Sequence, residues 1–153
     1  MVGYEGIFFD KETTNFIFSI EKQHLEVVND EIHCTFKYRP NNDELFNDIV
    51  GTEVDVLIIG YACDGQNSGF LIKIPEEYMK YYINYDEDNP NLLKVTHITA
   101  SLAKGASASN TKNLKFELFD KPYLVRGKFG YWIKKDDVNG YVSFEKYGIE
   151  QRM

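Results

Sequence analysis

A four-residue pattern occurs twice in this chain, as His33-Cys34-Thr35-Phe36 and again as His97-Ile98-Thr99-Ala100, each copy inside a short apolar stretch. Alternation over so short a run is a strand pattern, because successive side chains of an extended chain point to opposite faces. Within each copy the histidine and threonine therefore share one face, an imidazole beside a hydroxyl. A chain that carries the same strand in both halves is constrained towards a duplicated β architecture. The two copies hold two of the chain's three histidines. Brought together, they make a site with two proton-transfer groups and two hydrogen-bond donors.

The halves correspond beyond these strands. Each motif is followed by a loop and then by a strand ending in Gly-Tyr, Gly60-Tyr61 in the first half and Gly130-Tyr131 in the second. After a turn, the return strand opens with Gly69-Phe70 in one half and Gly140-Tyr141 in the other. This order predicts two similar β lobes, with His33 and His97 facing each other across a shared cleft. The patterning predicts strands over 4–9, 31–38, 54–60, 69–74, 92–102, 114–119, 123–127, 131–134 and 140–144. Residues 15–20 fit a short helix or a strand equally well, and 43–49 fit a helical turn. Residues 75–82 fit a short helix that starts at Pro75, with Glu76 and Glu77 near its positive end. Asp64-Gly65-Gln66-Asn67 and Val138-Asn139-Gly140 read as hairpin turns, and the polar run 86–90 as the seam between the halves.

At 153 residues and 43% hydrophobic, residues 1–153 have the size of one domain with a real core. No apolar run approaches the ~20 residues that cross a bilayer, and no apolar leader follows Met1, so a cytoplasmic location is expected. Cys34 and Cys63 form neither a disulfide framework nor a metal-ligand spacing, which suits a reducing compartment. A net charge of −7 disfavours a grip on long nucleic acid, which takes many Lys and Arg contacts to phosphates. A small nucleotide needs only a local cationic pocket. Lys37 and Arg39 lie on the face of His33 and Thr35 if the strand runs straight. A Gly-rich phosphate loop, a Cys/His metal cluster and a nucleophile elbow are absent from the sequence, so neither metal nor cofactor is expected, and the acidic residues 86–88 read as solvated.

With its two His-hydrophobic-Thr-hydrophobic strands in a duplicated pattern, the chain resembles the 2H phosphoesterase superfamily. Cys34 and Ala100 are smaller than the family's usual residues there. The resemblance covers most of 31–144 and implies an α+β fold, a duplicated two-lobed antiparallel β structure with short flanking helices. It also implies metal-independent phosphodiester chemistry on small ribonucleotides. His33 and His97 would exchange protons with the attacking and departing oxygens, in either assignment, while Thr35 and Thr99 donate to nonbridging phosphate oxygens. Lys37 and Arg39 would add charge for the phosphate. Without fused ligase or kinase segments, the favoured substrates are cyclic oligonucleotide immune messengers, as for the phage anti-CBASS enzymes of this superfamily. The alternative is opening of 2′,3′-cyclic phosphates, as in the modules of tRNA ligases. From another class, a noncatalytic nucleotide-binding module would keep the fold, but two intact His-Thr pairs argue against it. Tyr4 and Trp132 are the candidates for stacking on a base. His24 reads as a surface histidine, and the loop holding Ser107, Ser109 and Asn110 as surface loop or ligand cover.

Overall fold

The computed structural model describes residues 1–28, 32–40, 45–82 and 95–147. Their strands are β1 (Val2–Phe8), β2 (Val27–Val28), β3 (His33–Tyr38), β4 (Glu53–Cys63), β5 (Asn67–Lys73), β6 (His97–Leu102), β7 (Glu117–Lys134) and β8 (Gly140–Ser143), with one α-helix, α1 (Lys11–Ile20). Short 3₁₀ turns occupy Leu45–Asp48, Glu76–Tyr81 and Ala108–Asn113. The ambiguous segment 15–20 is helical because the chain supplies a start signal just before it. The Asp10 side chain accepts from the Thr13 N–H at 2.7 Å, and Ile17 and Thr14 turn inwards. Of the sequence expectations, the run 86–90, Asn41 and Asn42, residues 43–44, residue 31 and the start of 92–102 lie outside the described residues.

The strands form one antiparallel sheet in the order β2-β6-β5-β4-β7-β1-β3, with β8 paired to β7. Strands from the two halves of the sequence interleave in one continuous sheet. A symmetry of position nevertheless survives. Counting outward from the pair β4–β7, β6 is second on one side and β3 second on the other, and these are the motif strands. The neighbour of β3 is β1, while β8 fills the edge of β7 beyond the end of β4. The second Gly-Tyr hairpin is therefore not the spatial counterpart of the first.

Residues 114–134 were expected as three strands, and the structure runs a single strand through Pro122. The pairing explains it. Leu118 lies opposite Gly60 and Tyr123 opposite Ile58, so the residues between them bulge out of the β4 ladder and the missing proline N–H costs no ladder bond there. Gly127, which read as a strand end, and Gly6, inside the first strand, both serve close packing. A Cβ on Gly127 would strike the Ile7 side chain, and one on Gly6 would strike the Cys34 carbonyl.

The sheet curls into a half-barrel around an apolar interior. Val54, Val56 and Ile58 of β4 point in, between exposed Glu53, Asp55 and Leu57. Phe36, Phe46 and Phe129 meet there edge to face at 5.6–6.3 Å and are fully buried. Truncating any of them to Ala would cost about 3–5 kcal/mol. Among the described residues no helix is long and apolar enough to cross a membrane.

Candidate functional site

On β3 burial alternates as read from the sequence, whereas on β6 Thr99 is buried along with Ile98 and Ala100. On β3, Cys34 and Phe36 are fully buried in the core while His33 and Thr35 are half-buried; on β6, Ile98 and Ala100 belong to the same core. His33-Thr35 and His97-Thr99 thus lie on the faces turned from it. The curl of the sheet brings β3 and β6 together although they are not ladder neighbours. One link is chemical: the His97 backbone N–H faces the Cys34 sulfur, so the core residue of one motif meets the main chain of the other. Burial pushes the Cys34 thiol up to about 12, against the smaller opposing effect of that N–H. Cys34 and Cys63 are free thiols.

His97 has its proton placed by its surroundings. Its Nδ1 lies 2.8 Å from the Val95 carbonyl oxygen, which can only accept, so Nδ1 carries the hydrogen and Nε2 keeps a lone pair. Desolvation lowers its pKa below the ordinary imidazole value, the Val95 bond opposes this, and the positive charge of Lys112 adds to the lowering. His97 is therefore neutral at pH 7, with a free basic nitrogen. Two residues on, the Thr99 hydroxyl bonds Thr111 Oγ1 at 2.8 Å, and Asn67 Nδ2 donates to the same oxygen at 3.0 Å.

His33 lies in different company. It pairs in register with Phe8, and its ring stacks on Tyr4 with centroids 4.7 Å apart and touches Phe8 at 5.9 Å. Tyr4 in turn stacks on Trp132 at 5.5 Å and 5°. The two residues expected to receive a base are thus stacked on each other, and the Tyr4 ring already contacts His33, Trp132 and Phe8. Its evident role is to hold the imidazole. An electron-rich ring face also favours a positive charge lying over it.

Lys37 and Arg39 do not continue the His33 face. A register shift between Glu5 and Gly6 sets Lys37 opposite Glu5 and Tyr38 opposite Tyr4. Cross-strand partners share a face, so Lys37 turns to the side of fully buried Glu5, and it is Tyr38 that joins Tyr4. Arg39 lies past the end of β3 with φ 50°, its guanidinium over the Tyr38 ring at 5.3 Å. His24 is mostly exposed, as expected, and pairs with the buried Glu21 carboxylate at 2.5 Å. Sequence reasoning missed Asn67, Thr111 and Lys112. The loop that carries the last two was singled out, but through Ser107, Ser109 and Asn110.

A groove of about 750 Å³ runs beside the start of α1, lined by Phe8, Phe9, Phe18, Phe144 and the cations Arg126 and Lys128 among others. No motif His or Thr lines it, and its link to them is Phe8, which touches the His33 ring. Among the described residues no group of three His, Cys, Asp or Glu is placed to hold a metal ion. No protein-family model matches this chain, and no curated protein matches it.

Proposed function

We propose that this chain is a metal-independent phosphodiesterase of the 2H type, working in the cytoplasm on small cyclic or short ribonucleotides, with cyclic oligonucleotide messengers as its favoured substrates. The observation that carries this reading is the meeting of β3 and β6 in the curled sheet, with a His-Thr pair on each strand. Neutral His97, with Nε2 unprotonated, is the general base and takes the proton of the attacking oxygen. As that oxygen bonds to phosphorus, the bond to the departing oxygen breaks, and protonated His33 gives that oxygen a proton. Thr35 and Thr99 donate to the nonbridging oxygens, where charge gathers in the transition state.

The test is chromatographic product analysis of cyclic dinucleotides, cyclic trinucleotides, 2′,5′-oligoadenylate and 2′,3′-cyclic mononucleotides, each incubated with the protein in excess EDTA. Opening of a cyclic oligonucleotide is the expected result. Cleavage confined to 2′,3′-cyclic mononucleotides would reassign the substrate to cyclic phosphate ends. Binding without turnover in every case would make the chain a nucleotide-binding module. Turnover that EDTA abolishes and Mn²⁺ or Mg²⁺ restores would overturn the two-histidine mechanism.

A further inference from the structure

We propose that the Ala108–Asn113 turn is the phosphate-holding arm of this site, with Asn67 and Thr111 as positioning residues that aim the Thr99 hydroxyl and Lys112 as the cation facing the same anion. The inference rests on the reading above and adds residues on which neither the motifs nor the resemblance draws. Thr111 is fully buried and Asn67 is 1% exposed, so their polar groups answer to each other rather than to water. The Asn67 amide nitrogen donates to the Ser107 carbonyl at 2.8 Å and to Thr111 Oγ1 at 3.0 Å, which fixes the orientation of the amide, since a carbonyl can only accept. One lone pair of Thr111 is thereby occupied by a donor. Its remaining bond runs to Thr99 Oγ1 at 2.8 Å.

Two hydroxyls in contact can exchange the roles of donor and acceptor. In the structure Thr99 donates to Thr111. An oxyanion that accepts from Thr99 turns this bond round, so that Thr111 donates to Thr99 while Asn67 still donates to Thr111. Three donors then point in sequence at the anion, each polarising the next. Lys112, the neighbour of Thr111, is exposed on the same turn, and its charge adds to the lowering of the His97 pKa. The backbone makes room for this arm at Gly69, which lies opposite Thr99: a Cβ there would come within 2.6 Å of the Thr111 methyl and 2.5 Å of the Ile98 carbonyl. A surface loop held by chance needs neither a buried amide clamp nor a glycine seat beneath it.

The experiment measures binding of inorganic phosphate by amide NMR, and kcat and KM on whichever nucleotide is cleaved. It compares the wild type with Thr111→Val, Thr111→Ala, Thr111→Ser, Thr99→Val, Lys112→Gln and the Thr99→Val/Thr111→Val pair. Loss of the Thr111 hydroxyl should weaken phosphate binding and lower kcat/KM by about three- to tenfold, and Thr111→Ser should restore both. The double variant should be no worse than Thr99→Val, because the relay acts through that hydroxyl. Lys112→Gln should weaken phosphate binding and flatten its salt dependence. The Ala variant stands in if Val does not fold. Overturning results are phosphate binding indifferent to Thr111, a Ser variant as poor as Val, additive losses in the pair, or no phosphate binding by the wild type. Thr111-dependent phosphate binding by a protein that cleaves no nucleotide keeps this inference and removes the phosphodiesterase reading. Cleavage indifferent to Thr111 does the reverse.

Discussion

The strands β3 and β6 carry the same four-residue pattern and hold it in opposite kinds of surroundings. His33 leans on a stack of aromatic rings, Tyr4 on Trp132 with Phe8 beside it, whereas His97 is desolvated, bonded through Nδ1 to a carbonyl and followed by a chain of hydroxyls and an amide. Identical surroundings would give two imidazoles no reason to divide labour; these surroundings differ. The aromatic face favours the charged ring and so suits an acid, and burial favours the neutral ring and so suits a base. The difference comes from residues outside the motif itself, Tyr4 and Phe8 of β1 for His33, and Val95 and the Ala108–Asn113 turn for the second copy.

Replacing histidines breaks the comparison most severely. His33→Ala and His97→Ala should each lower kcat by roughly 10² to 10⁴ with the fold retained, measured by steady-state kinetics beside a thermal melt. The double variant should be little worse than either single one, since both groups serve one proton-transfer process. Near-wild-type activity in both singles would leave no division of labour to explain. Cys34→Leu attacks what the two strands share, the contact beneath them. The added volume should destabilise the fold by about 1–3 kcal/mol in denaturant melts and slow turnover by parting β3 from β6.

Smaller effects sharpen the contrast. Thr35→Val and Thr99→Val should each cost about tenfold in kcat, one hydrogen bond to phosphate apiece. Tyr4→Leu should lower kcat about two- to fivefold by removing the ring face under His33, with His97 unaffected, as an NMR titration of the two imidazoles would show. Stability should also depend on pH at both ends. The folded pKa of His97 lies below its unfolded value, so its contribution is full above about pH 6.5 and is lost as pH falls through the folded pKa. The folded pKa of Cys34 lies above its unfolded value, so its contribution is full below about pH 8.5 and is lost as pH rises towards about 12. Melts at acid and alkaline pH check both signs.

The motif strands and the β4–β5 hairpin were legible because alternation and turn residues are local signals, and His33, Thr35, His97 and Thr99 came with them. What escaped depends on pairing between distant segments. The bulge that turns Lys37 away from His33 is a register shift against β1, invisible in the residues 33–38 themselves. The gap expected between 119 and 123 is bridged because only the partner strand shows that the Pro122 N–H is not needed. Thr111 and Lys112 look like any polar loop until Asn67, far away in sequence, clamps the turn onto Thr99. The duplication read from Gly-Tyr spacing pointed to β8 as a counterpart of β5, yet the strand beside β3 is β1, from the start of the chain.

The central claim, a neutral base at His97 and a charged acid at His33 acting on one phosphodiester, is tested most directly by the pH dependence of kcat/KM in excess EDTA for the wild type and both His→Ala variants. The account predicts a bell for the wild type. Its acid limb reports protonation of His97 and falls below the ordinary imidazole range, because burial lowers that pKa. His97→Ala should lose the acid limb and His33→Ala the alkaline one. A profile flat through neutrality, or limbs that vanish with the opposite histidine, would contradict it.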